Sequence, residues 1–182
     1  MTEGVTEDIT GMVHVAELPA DAIPSALPDL AGILHACVLG GAGIGFVLPF
    51  SLDEANRFWS GLLPHFQSGD RRLLVARWEG RIVGTVQLVV GMPPNGRHRA
   101  DIAKLLVHPE IRRRGVAHAL MLAAESLARQ AERSLLILDT ELGSAAEPLY
   151  RSLGFAVTGV VPRYACSTAG VPTPAIFMHK LL

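Results

Sequence analysis

Residues 105–117 read Leu-Leu-Val-His-Pro-Glu-Ile-Arg-Arg-Arg-Gly-Val-Ala. An apolar strand end runs into a basic loop, and a helix pattern starts at a glycine and small residues. The first turn of a helix has N–H groups without intrahelical partners and carries the positive end of the helix dipole. A pyrophosphate fits there if no bulky side chain blocks the backbone. Gly115 and Ala117 keep that approach open, and Arg112, Arg113 and Arg114 add charge that can meet phosphate oxygens. The plainer reading is a solvated basic helix start. Neither the GxxxxGK[ST] loop nor the GxGxxG fingerprint is present.

Carboxylates form the second candidate group. Asp101 lies six residues before Val107, and even spacing along a strand puts both on one face of the pleat. Asp139 and Glu141 share a face near the end of the run LILDTE. Two nearby carboxylates push one pKa upward and bind a cationic amine. The competing readings are an ion pair of Asp101 with Arg97 or Arg99, and a helix-capping role for Asp139. The seven histidines, at positions 14, 35, 65, 98, 108, 118 and 179, contain no HxxxH or HExxH pair, so no metal is expected. Cys37 reads as packing. Cys166 has no evident base partner for covalent chemistry.

The elements that must position these groups follow from the hydrophobic pattern. Met12–Leu18 reads as a strand. A helix follows that ends at Leu39, and then the glycine-rich loop GGAGIGF over 40–46. Residues 31–52 contain no Asp, Glu, Lys or Arg, but Gly40, Gly41, Gly43, Gly45 and Pro49 argue for a buried helix and a loop rather than a membrane span. Ser51 and Glu54 form a capping box. Behind it Phe58 and Trp59 fall on a core-facing stripe. Arg71–Trp78 and Arg81–Val90 make a hairpin around Glu79-Gly80. Asp101–Val107 is the next strand, Arg112–Ala131 a helix, Ser134–Thr140 a strand and Ala145–Leu153 a short helix. Phe155–Val161 and Pro174–Leu181 are closing strands. At 182 residues, 49% hydrophobic and 18% charged, the chain reads as one α/β (α+β) domain over 1–182, with a core over about 11–182. With 16 Lys and Arg against 17 Asp and Glu it has no general electrostatic grip on nucleic acid or anionic lipid. The acidic, polar start is unlike a signal or transit peptide, so a cytoplasmic protein is expected.

Arg112-x-x-Gly115-x-Ala117 resembles the Q/R-x-x-G-x-G/A signature of the GNAT family of N-acetyltransferases, and Leu149–Phe155 resembles that family's LYxxLGF segment. The segments GAGIGF (41–46), PNG (94–96), RADIAKLLVHP (99–109) and LDTELGSAAE (138–147) resemble its tabtoxin-resistance subgroup. The resemblance implies a mixed, mostly antiparallel sheet flanked by helices, with its fourth and fifth strands splayed. It implies acetyl-CoA as cosubstrate, held by the backbone of Leu106 and Val107 and, at the pyrophosphate, by 112–118, that is Arg112, Arg113, Arg114, Gly115, Val116, Ala117 and His118. Asp101 matches the family's strand base, here shortened from Glu. Asp139 matches an acceptor-pocket Asp, and Tyr150 matches the tyrosine that protonates the leaving thiolate. Many relatives have Asn where this chain has Gly143, so Ser144 or a backbone group takes over that contact. Tyr164 and His98 are further acceptor-pocket candidates, and the loop 92–99 is expected to help cover the site. The implied acceptor is a small amine or hydroxyl compound, toxin- or antibiotic-like, handled by a monomer or homodimer. Acetylation of a protein N-terminus or lysine, or non-catalytic acyl-CoA sensing, are the alternatives.

Overall fold

A computed structural model describes residues 13–182. Met12, the start of the expected first strand, lies outside them. The described elements are β1 (His14–Leu18), α1 (Ile23–Leu39), α2 (Leu52–Gly61), α3 (Leu63–Gln67), β2 (Arg71–Trp78), β3 (Arg81–Val89), β4 (Arg99–Val107), α4 (Val116–Gln130), β5 (Leu135–Glu141), α5 (Glu147–Ser152), β6 (Ala156–Cys166) and β7 (Pro172–Leu181). The strands form one seven-stranded sheet in the order β1-β2-β3-β4-β5-β7-β6. Every neighbouring pair is antiparallel except β4–β5.

Both faces of the sheet are buried at its centre, and β2 shows how, whereas the edge strand β6 is exposed along nearly all its length. Leu73 and Val75 face the core under α1, α2 and α3, with Leu30, Leu34 and Trp59. Leu74 and Ala76 face the core under α4, with Leu120, Ala124, Leu136 and Met178. The charge-free stretch is accounted for in the first of these cores: α1 buries Ile23, Leu30, Leu34, Cys37 and Val38. No described helix is long and apolar enough to cross a membrane. The capping box is present, with the Ser51 amide donating to Glu54 at 2.7 Å and the Glu54 amide donating to Ser51 Oγ at 3.2 Å. Trp59 is fully buried, and Phe58 packs against the same core.

Two local departures from the sequence reading matter for the site. The helix expected from Arg112 begins at Val116. Arg112 is extended, and Arg113 and Gly115 are left-handed at φ +65° and +77°, so the three arginines belong to a loop. A helix cannot run through left-handed residues. The second departure is a bulge in β4. Thr85 pairs with Leu106 and Gln87 with Ala103, so β4 carries one residue more than β3 between these pairs, and Lys104 has φ +50°. An extra residue inverts the side-chain alternation beyond it. Ala100, Ile102, Leu105 and Val107 all pack into the α4-side core, whereas Leu106 enters the α1-side core. Asp101 and Val107 therefore face opposite sides of the sheet, contrary to the even-spacing expectation.

The sheet opens where the bulge lies. β4 and β5 pair only over Arg99–Asp101 and Leu135–Ile137, and both run on unpaired with each other to Val107 and Glu141. β7 stays paired with β5 over its full length, from Leu135 to Glu141. The result is a cleft with the C-terminal half of β4 as one free edge.

Candidate active site

A cavity of about 270 Å³ sits in this cleft. Ile102–Leu105 of β4 and Asp139–Glu141 of β5 form two walls, and Ala146 and Tyr150 of α5 close one end. Gly43, Ile44 and Gly45, from the loop between α1 and α2, form the roof. Tyr164–Cys166 and Thr173–Ala175 of the β6–β7 hairpin form the remaining side. The roof loop is tied to that hairpin by a hydrogen bond from the Leu48 amide to the Thr168 carbonyl at 2.8 Å. A Cβ at Gly43 would lie 2.4 Å from the Glu141 carboxylate, the movable end of a side chain, so glycine eases the approach of this loop to β5.

Asp139 lines the cavity. Its side chain is exposed at the cavity wall, with the neighbouring walls shielding it in part from solvent. This partial desolvation raises its pKa above the ordinary carboxylate value. The nearby Lys104 ammonium works against the rise, and Asp101 adds to it. Tyr150 also lines the cavity and is buried against Phe155, ring centroids 5.9 Å apart. Burial first, and then the Asp139 charge, push its pKa up to about 12, so its hydroxyl stays protonated at neutral pH.

Asp101 lies outside the cavity lining and accepts an ion pair from Arg99 at 2.7 Å, the plainer of the two readings of that residue. It remains close enough to disfavour a second negative charge at Asp139. Ser144 lies in the turn after β5 and shares a hydrogen bond with Thr140 at 2.9 Å. Tyr164 stands at the cavity wall, packed edge-on against Phe177. His98 does not join it. Its carbonyl accepts from the Ser134 amide at the end of the cleft where β4 and β5 are still paired, and the loop 92–99 lies there too. The residues that cover the cavity are 43–45 and the β6–β7 hairpin instead. The side chain that went unnoticed in the sequence is Lys104. The available signal was a lysine inside the otherwise apolar run IAKLLV.

Beyond the cavity, the loop 108–115 leads to the N-terminus of α4. The first bond of that helix runs from the Ala119 amide to the Gly115 carbonyl, which leaves the amides of Val116, Ala117 and His118 without helical partners. The space a Gly115 side chain would occupy is empty. The three arginines do not act alike. Arg114 lies over the Trp78 ring at 5.1 Å. Arg112 reaches the C-terminal end of α1, beside Cys37 and Gly40. All three arginines, and His118, are exposed. The Cys37 thiol is buried and donates to the Val107 carbonyl at 3.4 Å, and burial pushes its pKa up. Among the described residues no cluster of His, Cys, Asp and Glu could hold a metal ion.

Residues 46–155 match the model of the acetyltransferase (GNAT) family. The chain is 30% identical over 179 residues to N-acetyltransferase 8 of Rattus norvegicus, covering 87% of this chain and 79% of that protein. It is 32% identical over 124 residues to an uncharacterized N-acetyltransferase in the hisH-hisA intergenic region of Azospirillum brasilense, covering 67% and 72%. Among solved structures, the ribosomal-protein-alanine N-acetyltransferase of Brucella melitensis superposes with a TM-score of 0.76 at 23% identity, over 93% of this chain and 99% of that one. The Salmonella typhimurium protein yncA, solved with its cofactor acetyl-CoA, gives 0.74 at 20% identity, over 93% and 94%.

Proposed function

Because the chain belongs to the acetyltransferase (GNAT) family, we propose that it transfers an acetyl group from acetyl-CoA to the amine of a small acceptor held in the roofed cavity. The observation that carries this reading is the partly open cleft between β4 and β5 and what lines it. The loop 43–45 and the β6–β7 hairpin flank a cavity lined by Asp139 and Tyr150 and walled by the half of β4 that does not pair with β5.

The residues present suit acetyl-CoA. The edge of β4 at Leu106 and Val107 has no β5 partner, so backbone groups there can pair with the pantetheine amides as a strand would. The free amides of Val116, Ala117 and His118, the empty side of Gly115 and the exposed Arg113 suit a pyrophosphate. Arg112 and Arg114, exposed in the same loop, add positive charge beside that helix start while also contacting the end of α1 and the Trp78 ring.

The reaction then runs as direct attack. The neutral acceptor nitrogen bonds to the thioester carbonyl carbon. An N–H of the β4 edge stabilises the oxyanion, a role worth ~2.7–4 kcal/mol in comparable sites. Asp139 takes the proton lost by nitrogen, and its raised pKa brings it nearer the range useful to a general base. As the C–S bond breaks, Tyr150 donates its proton to the departing thiolate. The products are an acetamide and free CoA, and solvent exchange restores both side chains. Asp101 supports this by keeping Asp139 from ionising too readily.

The likeness of residues 41–46, 94–96, 99–109 and 138–147 to the tabtoxin-resistance subgroup favours toxin- or antibiotic-like amines as acceptors. The test is thiol release from acetyl-CoA with a panel of small amines, amino alcohols, N-terminal peptides and lysine peptides. Turnover with small amines supports the proposal. Turnover with peptides alone replaces it by protein acetylation. Acetyl-CoA binding with no turnover on any acceptor replaces it by a sensing role.

A further inference from the structure

Two lysines occur in this chain, Lys104 and Lys180, against fourteen arginines. Lys180 pairs with Glu125 at 2.5 Å away from the cavity. Lys104 sits at the β4 bulge, with its backbone in the left-handed region that side-chain-bearing residues rarely adopt. Its Nζ donates to the Ile44 carbonyl of the roof loop at 2.9 Å. It also lies 5.7 Å and 5.5 Å from the ring centres of Phe46 and Phe58, a roof residue and an α2 residue. The same side chain lines the cavity within electrostatic reach of Asp139.

We propose that Lys104 is a positioning residue for the transfer: its ammonium group pins the roof loop at the Ile44 carbonyl and presents a positive charge in the same cavity lining as Asp139. This rests on the reading of Asp139 as the base. The bulge is the structural means, because it places Lys104 where it reaches both the Ile44 carbonyl and the cavity. The groups that act on the pair come from several elements. Asp101 on β4 acts on Asp139 and Arg71 on β2 acts on Lys104, while Glu141 on β5 and Tyr150 on α5 line the same cavity. Burial lowers the pKa of Lys104 itself, and the Asp139 charge pulls it back up, so the two charges support one another. A compact ammonium suits a site between two rings, where a planar guanidinium has a different shape and hydration.

The test is the pH dependence of kcat/KM in wild type, Lys104→Met and Lys104→Arg. In Lys104→Met the acidic limb is expected to move up by roughly one pH unit, the scale on which a neighbouring opposite charge acts. The acceptor KM is expected to rise several-fold as the roof loosens. Lys104→Arg is expected to bring the limb back toward wild type. A limb in Lys104→Met that superimposes on wild type, in protein with a cooperative melt, overturns the proposal. A second measurement needs no cavity variant: wild-type protein labelled at lysine 13Cε gives two signals, assigned with Lys180→Arg. The Lys104 signal is expected to move at the midpoint of the acidic limb. The Lys180 signal should move lower, where Glu125, held down by its two cationic partners against its burial, titrates. A Lys104 signal blind to that midpoint also overturns the proposal. If the acidic limb survives in Asp139→Asn, it is the base assignment that fails. If the limb is lost there but unmoved in Lys104→Met, the role of Lys104 alone fails.

Discussion

At the residue level, the two side chains given chemical roles are pushed in useful directions by one cause, desolvation in a concave wall. Tyr150→Phe removes the proton donor and leaves the packing against Phe155 intact. It is expected to lower kcat by ~10²-fold or more, in line with general-acid contributions, with an unchanged melting temperature in a thermal scan. Asp139→Asn is expected to lower activity by a similar or larger factor, but its effect on stability should have the opposite sign. The folded-state pKa of Asp139 is raised, so the fold disfavours the ionised form and carries that cost at every pH above the raised value. Asparagine mimics the protonated form. The Asn variant should melt at or above the wild-type temperature at pH 7–8, and the difference should vanish below the ordinary carboxylate pKa of ~3.9. A variant that loses stability at pH 7–8 would contradict the assigned shift. That Asp139 and Tyr150 come together at one cavity was legible in the sequence through their strand-end and LYxxLGF positions. Lys104 was not, because periodicity reads an isolated lysine in an apolar strand as a residue pointing outward, and only a bulge makes it face a cavity.

Among the elements, most boundaries were legible because periodicity, the Ser51–Glu54 box and the Glu79-Gly80 turn are local signals. The bulge and the loop 112–115 were not. Both depend on left-handed backbone at Lys104 and Arg113, residue types that do not advertise it, and both answer to tertiary demands. The bulge also explains why Asp101 and Val107 do not share a face: the parity argument holds only for an unbroken pleat. Packing at β3 supplies an element-level prediction. A Cβ at Gly84 would lie 2.9 Å from the Leu106 carbonyl oxygen and 3.1 Å from the Val116 and Leu120 side chains. The first contact is backbone, so it cannot be relieved by a rotamer change. Gly84→Ala is expected to cost ~1–3 kcal/mol in urea unfolding. Because the same shift would displace the β4 edge at Leu106, it should also weaken acetyl-CoA binding. Unchanged stability and affinity would mean that β3 and β4 can separate freely there.

For the whole molecule, the functional feature is a sheet with two full cores that is nonetheless open in its middle. The α1-side and α4-side cores hold β4 from both faces, and β7 holds the far edge of β5, so the two strands can part without exposing either core. The strand pairing between the two halves of the sheet is short, Arg99–Asp101 with Leu135–Ile137, and it is supplemented by the Leu48–Thr168 and Ser134–His98 bonds, the Lys180–Glu125 pair and the shared core under α4. A ligand that pairs with the β4 edge while its pyrophosphate sits at α4 adds contacts that the unfolded chain cannot make. Such a ligand stabilises by RT ln(1 + [L]/Kd), about 2.7 kcal/mol at a hundredfold excess over Kd. Acetyl-CoA is therefore expected to raise the melting temperature by several degrees. ADP, which offers the pyrophosphate but nothing for the β4 edge, should raise it much less. Equal shifts for the two would mean that only the helix terminus binds and the cleft plays no part. A shift with acetyl-CoA alone would tie the open half of β4 to recognition of the cosubstrate, because that edge is the part of the fold ADP leaves untouched.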